Sequence, residues 1–265
     1  GVPFPQDNMT WEEMFNLARQ LSRGEGEERK YGFSFTTYQG SDPFWDMQVY
    51  TQPLQLSYYD QSGDKMAVDS DSWEQVWKTI AELRELEVIP GQPNYEEMAQ
   101  REIIGPFDWD HFLSGRVAMA ISHYYYINDL INANRQAEVD ENYEGVEWDV
   151  VTVPVHPEYP GIGGSISLQA MMGINAKAQN EDDAWEFLKF LNGDDWARLK
   201  SRSQSMLVSN VDYLQPKEGL DYNISAFYQL KPAPAVMEMT RPGLTLIGGR
   251  TSRAGSQARP ITAAA

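Results

Sequence analysis

Apolar positions with helical spacing mark two segments in the first hundred residues. The first follows Thr10 and Glu13, which have the spacing of a capping box and predict a helix start. The second follows a similar pair, Ser72 and Gln75. Its apolar stripe predicts a helix whose core face includes both Trp73 and Trp77.

Residues 181–200 predict a third helical region. It begins with acidic residues, which favour the positive end of a helix dipole, and Gly193 divides it into two helices. Its apolar residues have the spacing of a core helix. We therefore expect the following side chains to be buried: Trp185, Phe187, Leu188, Phe190 and Leu191.

Alternating or continuous apolar runs predict strands between these helices. They cover residues 31–40, a hairpin at 56–70 with a Ser-Gly-Asp turn, residues 117–121 and 148–155, and a strand pair or single long strand at 165–179. Because strands alternate with helices and no repeat is visible, we predict an α/β fold with a sheet flanked by helices. The Pro/Gly-rich residues 154–164 are the best candidate for a crossing between two lobes.

Three consecutive tyrosines, Tyr124, Tyr125 and Tyr126, follow the strand at 117–121 and precede a helix start. Neighbouring side chains on a strand face opposite sides, so at least one ring is left over from core packing. Phe44 and Trp45, in the first turn of a predicted short helix, also lack the spacing of a core stripe. Such rings can stack on the C–H face of a sugar, or they can be partly buried at the edge of a lobe.

Composition narrows the classes of ligand. The chain has 265 residues, a formal net charge of −18 and no cysteine. This charge argues against nucleic acid and anionic membrane surfaces as partners. His111, His123 and His156 lie far apart in the sequence, so we expect neither a metal site nor a cofactor. No apolar run approaches the roughly 18 residues of a membrane span.

Two alternatives stay open at this level. An acid pair such as Asp108 and Asp110 could serve a glycoside hydrolase, although most acid clusters are solvated. The Gly-rich residues 161–165 precede a strand rather than a helix, so a phosphate cradle is not expected. They form either a flexible turn or a backbone segment that approaches a ligand closely.

Four segments together resemble one family. They are TWEEMFNLARQL (10–21), FLSGRVAMAIS (112–122), WDVVTVPVHP (148–157) and GINAKAQNEDDAWEFLKFLNGDDW (173–196). The order and the separations of these segments resemble those in the extracellular solute-binding proteins of sugar ABC importers, of the maltose-binding-protein type. The resemblance extends over roughly residues 1–200.

This resemblance implies a two-lobed, type II periplasmic-binding-protein-like α/β architecture. Residues 1–155 would form the C-terminal lobe, 156–210 the returning N-lobe strand and helices, and 211–265 a segment packing back on the C-lobe. It implies a non-enzymatic, monomeric, extracellular receptor that delivers a carbohydrate to an ABC transporter permease. We expect the chain to lack an upstream part, which would carry the lipoprotein anchor of the full-length form.

The resemblance also implies a set of ligand-binding residues in an aromatic-lined cleft. One or two of the tyrosines would act as sugar platforms, and the others would pack. A peptide or polyamine receptor of the same fold is a further alternative. The expected ligand-binding residues are Phe44, Trp45, Tyr124, Tyr125, Tyr126, Gly163, Gly164 and Ser165.

Overall fold

The computed structural model describes most of the chain up to residue 233. The described ranges are residues 1–38, 42–56, 58–60, 65–92, 105–164, 172–201, 207–208 and 210–233. In these ranges the α-helices are α1 (Trp11–Leu21), α2 (Pro43–Thr51), α3 (Asp71–Glu85), α4 (Ile127–Ala137), α5 (Glu181–Leu191) and α6 (Asp194–Lys200).

The predicted start of α1 is confirmed in detail. The Thr10 hydroxyl oxygen accepts a hydrogen bond from the Glu13 amide at 3.2 Å, and the Glu13 carboxylate accepts one from the Thr10 amide at 2.8 Å. Each side chain thus satisfies a backbone donor at the helix start. The division of residues 181–200 at Gly193 is also confirmed, since α5 ends at Leu191 and α6 begins at Asp194.

The predicted start of α3 is wrong by two residues. Ser70, rather than Ser72, has extended backbone angles and accepts a hydrogen bond from the Trp73 amide at 3.4 Å. The prediction for Trp77 is also wrong, because this side chain is 47% exposed. At about 100° per residue, position 77 lies roughly 80° from the centre of the buried stripe. That stripe consists of Trp73, Val76, Ile80 and Leu83.

Helices α1, α2 and α3 surround the main apolar core. Aromatic rings fill its centre, with Phe33 and Phe35 4.9 Å apart and Trp11 stacked on Phe35 at 5.7 Å. A buried ion pair joins two of the helices: the Arg84 guanidinium on α3 lies 2.6 Å from the Asp46 carboxylate on α2. Together these contacts join α1, α2 and α3 around one apolar cluster.

β-Pairing in the described residues consists of isolated bridges, so the predicted strands that lie in these residues are seen as short extended contacts. Residues 165–171 of the last predicted strand lie outside the described residues. Residues 31–34 pair in parallel with 117–120, and Thr10 pairs in parallel with Val155. The predicted hairpin at 56–70 has an antiparallel bridge between Tyr59 and Met66, while its predicted turn lies outside the described residues. Helices combined with parallel bridges agree with the α/β class only in outline.

Helices α5 and α6 differ from the rest, because neither has a buried residue. The predicted burial is wrong for Trp185, Phe187 and Phe190, all of which are exposed. Leu188 and Leu191 are half-buried. Their spacing is that of a core stripe, but in this structure the stripe does not face a core.

Candidate functional site

The parallel bridges define an edge where a ligand site is expected. The Tyr31 amide donates to the Arg116 carbonyl at 2.8 Å, and the Ser34 amide donates to the Met119 carbonyl at 2.9 Å. Because the two segments run in parallel, their carboxyl ends meet at one edge. Ligands of α/β proteins bind at that kind of edge. The chain continues there into residues 37–38 and 123–126.

The three tyrosines at this edge form a 3₁₀ turn and separate into two buried rings and one exposed ring. Tyr124 packs against Phe227 at 5.2 Å between ring centres, and Tyr126 packs in a different cluster. Tyr125 is 43% exposed and stacks on His123 at 5.5 Å. The expectation that at least one ring is left over from core packing is confirmed, and that ring is Tyr125.

Two further rings beside Tyr125 were not selected from the sequence. Tyr38 and Trp109 stack at 5.7 Å with an interplanar angle of 25°, and they are 48% and 46% exposed. Partial burial raises the pKa of Tyr38, and the nearby Tyr125, Asp129 and Asp110 raise it further. Tyr38 pairs with Asp110, and Tyr126, the neighbour of Tyr125, bonds to the Asp110 carboxylate, so the segments carrying Tyr38 and Tyr125 meet at Asp110. We call Tyr38, Trp109 and Tyr125 the aromatic surface.

A buried carboxylate lies beneath the aromatic surface. Asp110 is fully buried and accepts hydrogen bonds from the amides of Phe112 at 2.9 Å and Leu113 at 2.8 Å. The Tyr126 hydroxyl donates to both carboxylate oxygens, at 2.9 and 2.8 Å, and the Thr37 side chain donates as well. Burial raises the pKa of Asp110, whereas these donors lower it.

The contacts of Asp108 and Asp110 argue against a role for these two residues as the catalytic acid pair of a glycoside hydrolase. The carboxylate of Asp110 has its acceptor positions occupied by protein donors, and that of Asp108 lies 3.0 Å from the Arg116 guanidinium. Among the described residues, no group of three or more His, Asp or Glu side chains could hold a metal ion. In the same residues, no helix combines the length and apolar character needed to cross a membrane.

Phe44 and Trp45 lie in the first turn of α2, as predicted. The Asp42 carboxylate accepts a hydrogen bond from the Trp45 amide at 2.9 Å, which begins the helix. Phe44 packs on Tyr58 at 5.6 Å, yet both Phe44 and Trp45 keep exposed ring surface. The structure thus places them on α2, and their role in binding stays a prediction.

Packing accounts for the glycine at position 163, whereas a side chain at Gly164 would meet no neighbouring atom within 4 Å. A Cβ atom at Gly163 would lie 2.9 Å from the Leu230 side chain and 3.1 Å from that of Val153, so these side chains need a glycine there. The Gly163 amide donates to the Lys231 carbonyl at 2.9 Å. Gly164 is exposed, and Ser165 lies outside the described residues. A role in ligand contact stays a prediction for all three positions.

Comparison with solved structures identifies the fold. A sugar transporter from Rhizobium etli, crystallised in an open conformation, superimposes with a TM-score of 0.58 at 19% identity. An ABC substrate-binding protein from Listeria monocytogenes in complex with cycloalternan gives 0.56 at 16%. Each match covers 88% of this chain and 55% of the other, so the chain spans about half of their length.

Sequence comparison identifies the family. None of the curated protein sequences matches this chain significantly. The family model for bacterial extracellular solute-binding proteins matches residues 3–198, which is most of the chain. The chain belongs to the family of bacterial extracellular solute-binding proteins.

Proposed function

We propose that this protein binds a carbohydrate on the aromatic surface and supplies it to an ABC importer. The observation that carries the proposal is the exposed, stacked pair Tyr38 and Trp109 beside Tyr125, at the carboxyl edge of the parallel segments. Three half-exposed rings at the edge where ligands of α/β proteins bind are difficult to explain by packing alone.

The chemistry of this surface suits a neutral, hydroxylated ligand. The faces of the rings can pack on the C–H groups of a pyranose, and the two tyrosine hydroxyls can hydrogen-bond to sugar hydroxyls. His123, stacked on Tyr125, adds a polar group at the same edge. The net charge of −18 would oppose an anionic ligand but is no obstacle to an uncharged one.

The comparisons support the same ligand class. One matched structure is described as a sugar transporter, and the other was solved with cycloalternan bound. At 16–19% identity these matches concern the fold, so the sugar itself is part of our proposal. The family places the protein outside the cytoplasm, in extracellular or periplasmic space.

The remaining features of transport extend the proposal to a longer protein. We include a two-lobed architecture with a C-terminal lobe at residues 1–155, returning N-lobe elements at 156–210 and a closing segment at 211–265. The carbohydrate would be held between the lobes. Delivery to a permease, a monomeric state and a lipoprotein anchor in the full-length form belong to the same proposal.

Calorimetric titration with a panel of mono- and oligosaccharides that includes cycloalternan tests this function. We expect saturable binding without product formation and a loss of about tenfold or more in affinity for Trp109→Ala, since a central stacked ring is a typical hot spot. The matched control is Trp77→Ala, which removes an equally exposed tryptophan from α3. Equal affinity losses in the two variants, or no binding across the panel, would contradict the proposal.

A further inference from the structure

We infer that Asp110 is a positioning residue, whose buried carboxylate holds the rings of the aromatic surface in the arrangement that binds the ligand. The inference rests on the function proposed above, because it concerns the same surface. Asp110 is fully buried and so does not itself contact a ligand on that surface. Its effect must pass through the residues bonded to it.

Each ring of the aromatic surface is adjacent in the sequence either to Asp110 or to a residue whose side chain donates a hydrogen bond to Asp110. The three pairs of ring and neighbour are Tyr38 with Thr37, Trp109 with Asp110 itself, and Tyr125 with Tyr126. Three separate segments of the chain therefore converge on one carboxyl group. Each of them presents the adjacent ring to solvent.

The backbone contacts reinforce this arrangement. Tyr38 and Asp110 form an antiparallel bridge, and the His111 amide donates to the Thr37 carbonyl at 2.7 Å. Both contacts bring the segment carrying Tyr38 against the segment carrying Trp109. The rings of Tyr38 and Trp109 stack beside this backbone pairing, on its solvent-exposed side.

The carboxylate is well suited to fix its neighbours. An ionised carboxylate offers about four acceptor positions. Here two amides and two hydroxyls donate to it, in a site without solvent contact. Hydrogen bonds to a charged acceptor in a low-dielectric interior are stronger than neutral ones. The Thr37 and Tyr126 side chains are thus held with little freedom.

Restricted freedom beneath the rings matters for binding. A ligand that stacks on mobile side chains must pay the entropy of ordering them, whereas a preorganised surface avoids that cost. Asp110 and its donors would provide this preorganisation for Tyr38, Trp109 and Tyr125. Loss of one donor should therefore weaken binding although no ligand contact is removed.

The test compares two hydroxyl deletions at buried tyrosines. Tyr126→Phe removes a donor to Asp110. Tyr222→Phe removes a buried hydroxyl that lies 3.4 Å from the Tyr124 hydroxyl and is not bonded to Asp110. Thr37→Val removes the other hydroxyl donor with little change of side-chain shape. It serves as the second variant if Tyr126→Phe does not fold.

The first readout needs no ligand. With 5-fluorotryptophan in the eight tryptophan positions, the ¹⁹F NMR signal of Trp109 is assigned from a Trp109→Phe variant. We expect this signal to shift or broaden in Tyr126→Phe and in Thr37→Val, while the other tryptophan signals stay in place. In Tyr222→Phe it should not change. A Trp109 signal that stays in place in both Asp110-donor variants overturns the inference.

The second readout is affinity for the panel sugar that binds the unmodified protein. We expect affinity to fall about tenfold in Tyr126→Phe, reflecting the added cost of ordering loosened rings, and to stay within about twofold in Tyr222→Phe. Equal losses in both variants would overturn the inference, because both would then act through general stability. If the unmodified protein binds no sugar, the proposed function fails, and the NMR readout still decides whether the carboxylate orders the rings.

Discussion

The region of α1–α3 and the region of α5–α6 have similar apolar patterns but different environments. In the first, the stripe of α3 is buried against aromatic rings and beside the Asp46–Arg84 ion pair. In the second, large apolar side chains such as Trp185 and Phe187 are exposed, and the ion pairs lie at the surface. The comparison teaches that helical spacing identifies which face is apolar and does not identify what that face packs against.

The largest difference between the two regions is expected from their ion pairs. Asp46→Ala breaks the ion pair between a fully buried carboxylate and the half-buried Arg84 guanidinium, and it should lower the free energy of unfolding by about 3–5 kcal/mol. Breaking the exposed Glu186–Lys189 pair of α5 with Glu186→Ala should have no measurable effect. Urea unfolding followed by circular dichroism measures both. Comparable losses of unfolding free energy in the two variants would contradict the expected difference between the buried and the exposed ion pair.

A leucine in each region provides a matched second test. Leu83 on α3 is fully buried, whereas Leu199 on α6 is 62% exposed. Leu83→Ala should cost about 2–5 kcal/mol in unfolding free energy through lost burial and a new cavity. Leu199→Ala should stay within about 0.5 kcal/mol. A loss at Leu199 as large as that at Leu83 would mean that the α6 face is buried in solution.

Much of the fold was predictable from the sequence, for identifiable reasons. The helix starting at Thr10 and the division at Gly193 depend on neighbours within a few residues. The exposure of Trp185 could not be predicted, because it depends on elements distant in the sequence, whereas that of Trp77 follows from its angle to the buried stripe of α3. The shift of the α3 start from Ser72 to Ser70 shows that two candidate caps can be too close to separate by pattern.

The candidate site was predictable only in part. The surplus of rings at 124–126 signalled a surface, because three successive rings cannot share one side. Tyr38 and Trp109 were missed, since the first belongs to a strand pattern and the second lies between Asp108 and Asp110, which attracted attention as acids. Their stacking depends on a pairing between residues more than seventy positions apart. The position of Tyr38 at the end of a predicted strand was the available signal.

The smallest expected effect is a pH dependence of the unfolding free energy that arises in the region of α1–α3. Burial lowers the pKa of His156, while its hydrogen bond to the Tyr50 carbonyl and the charge of Glu158 raise it. Burial is the largest of these effects and the pKa of His156 is lowered overall, so the folded protein prefers the neutral ring. Stability from this preference is complete above the unfolded pKa of about 6.5 and is lost as pH falls from there through the folded pKa.

Urea unfolding at a series of pH values between neutral and mildly acidic tests this expectation. His156→Gln should unfold with a weaker dependence on pH over that window than the unmodified protein. An exposed histidine, His123, offers the control, since His123→Gln should keep the original profile. Identical profiles for the unmodified protein and His156→Gln would show that other groups control acid sensitivity.

The 3₁₀ turn at Tyr124–Tyr126 has a consequence for how such a receptor can diversify. With three residues per turn, successive side chains point about 120° apart, so one short motif assigns three neighbouring rings to three directions. Two of them secure the turn to separate apolar clusters, and the third is left to the surface. Under the proposed function, substitutions at Tyr125 would alter ligand preference while the anchoring positions stay unchanged, which would separate the evolution of specificity from that of the scaffold.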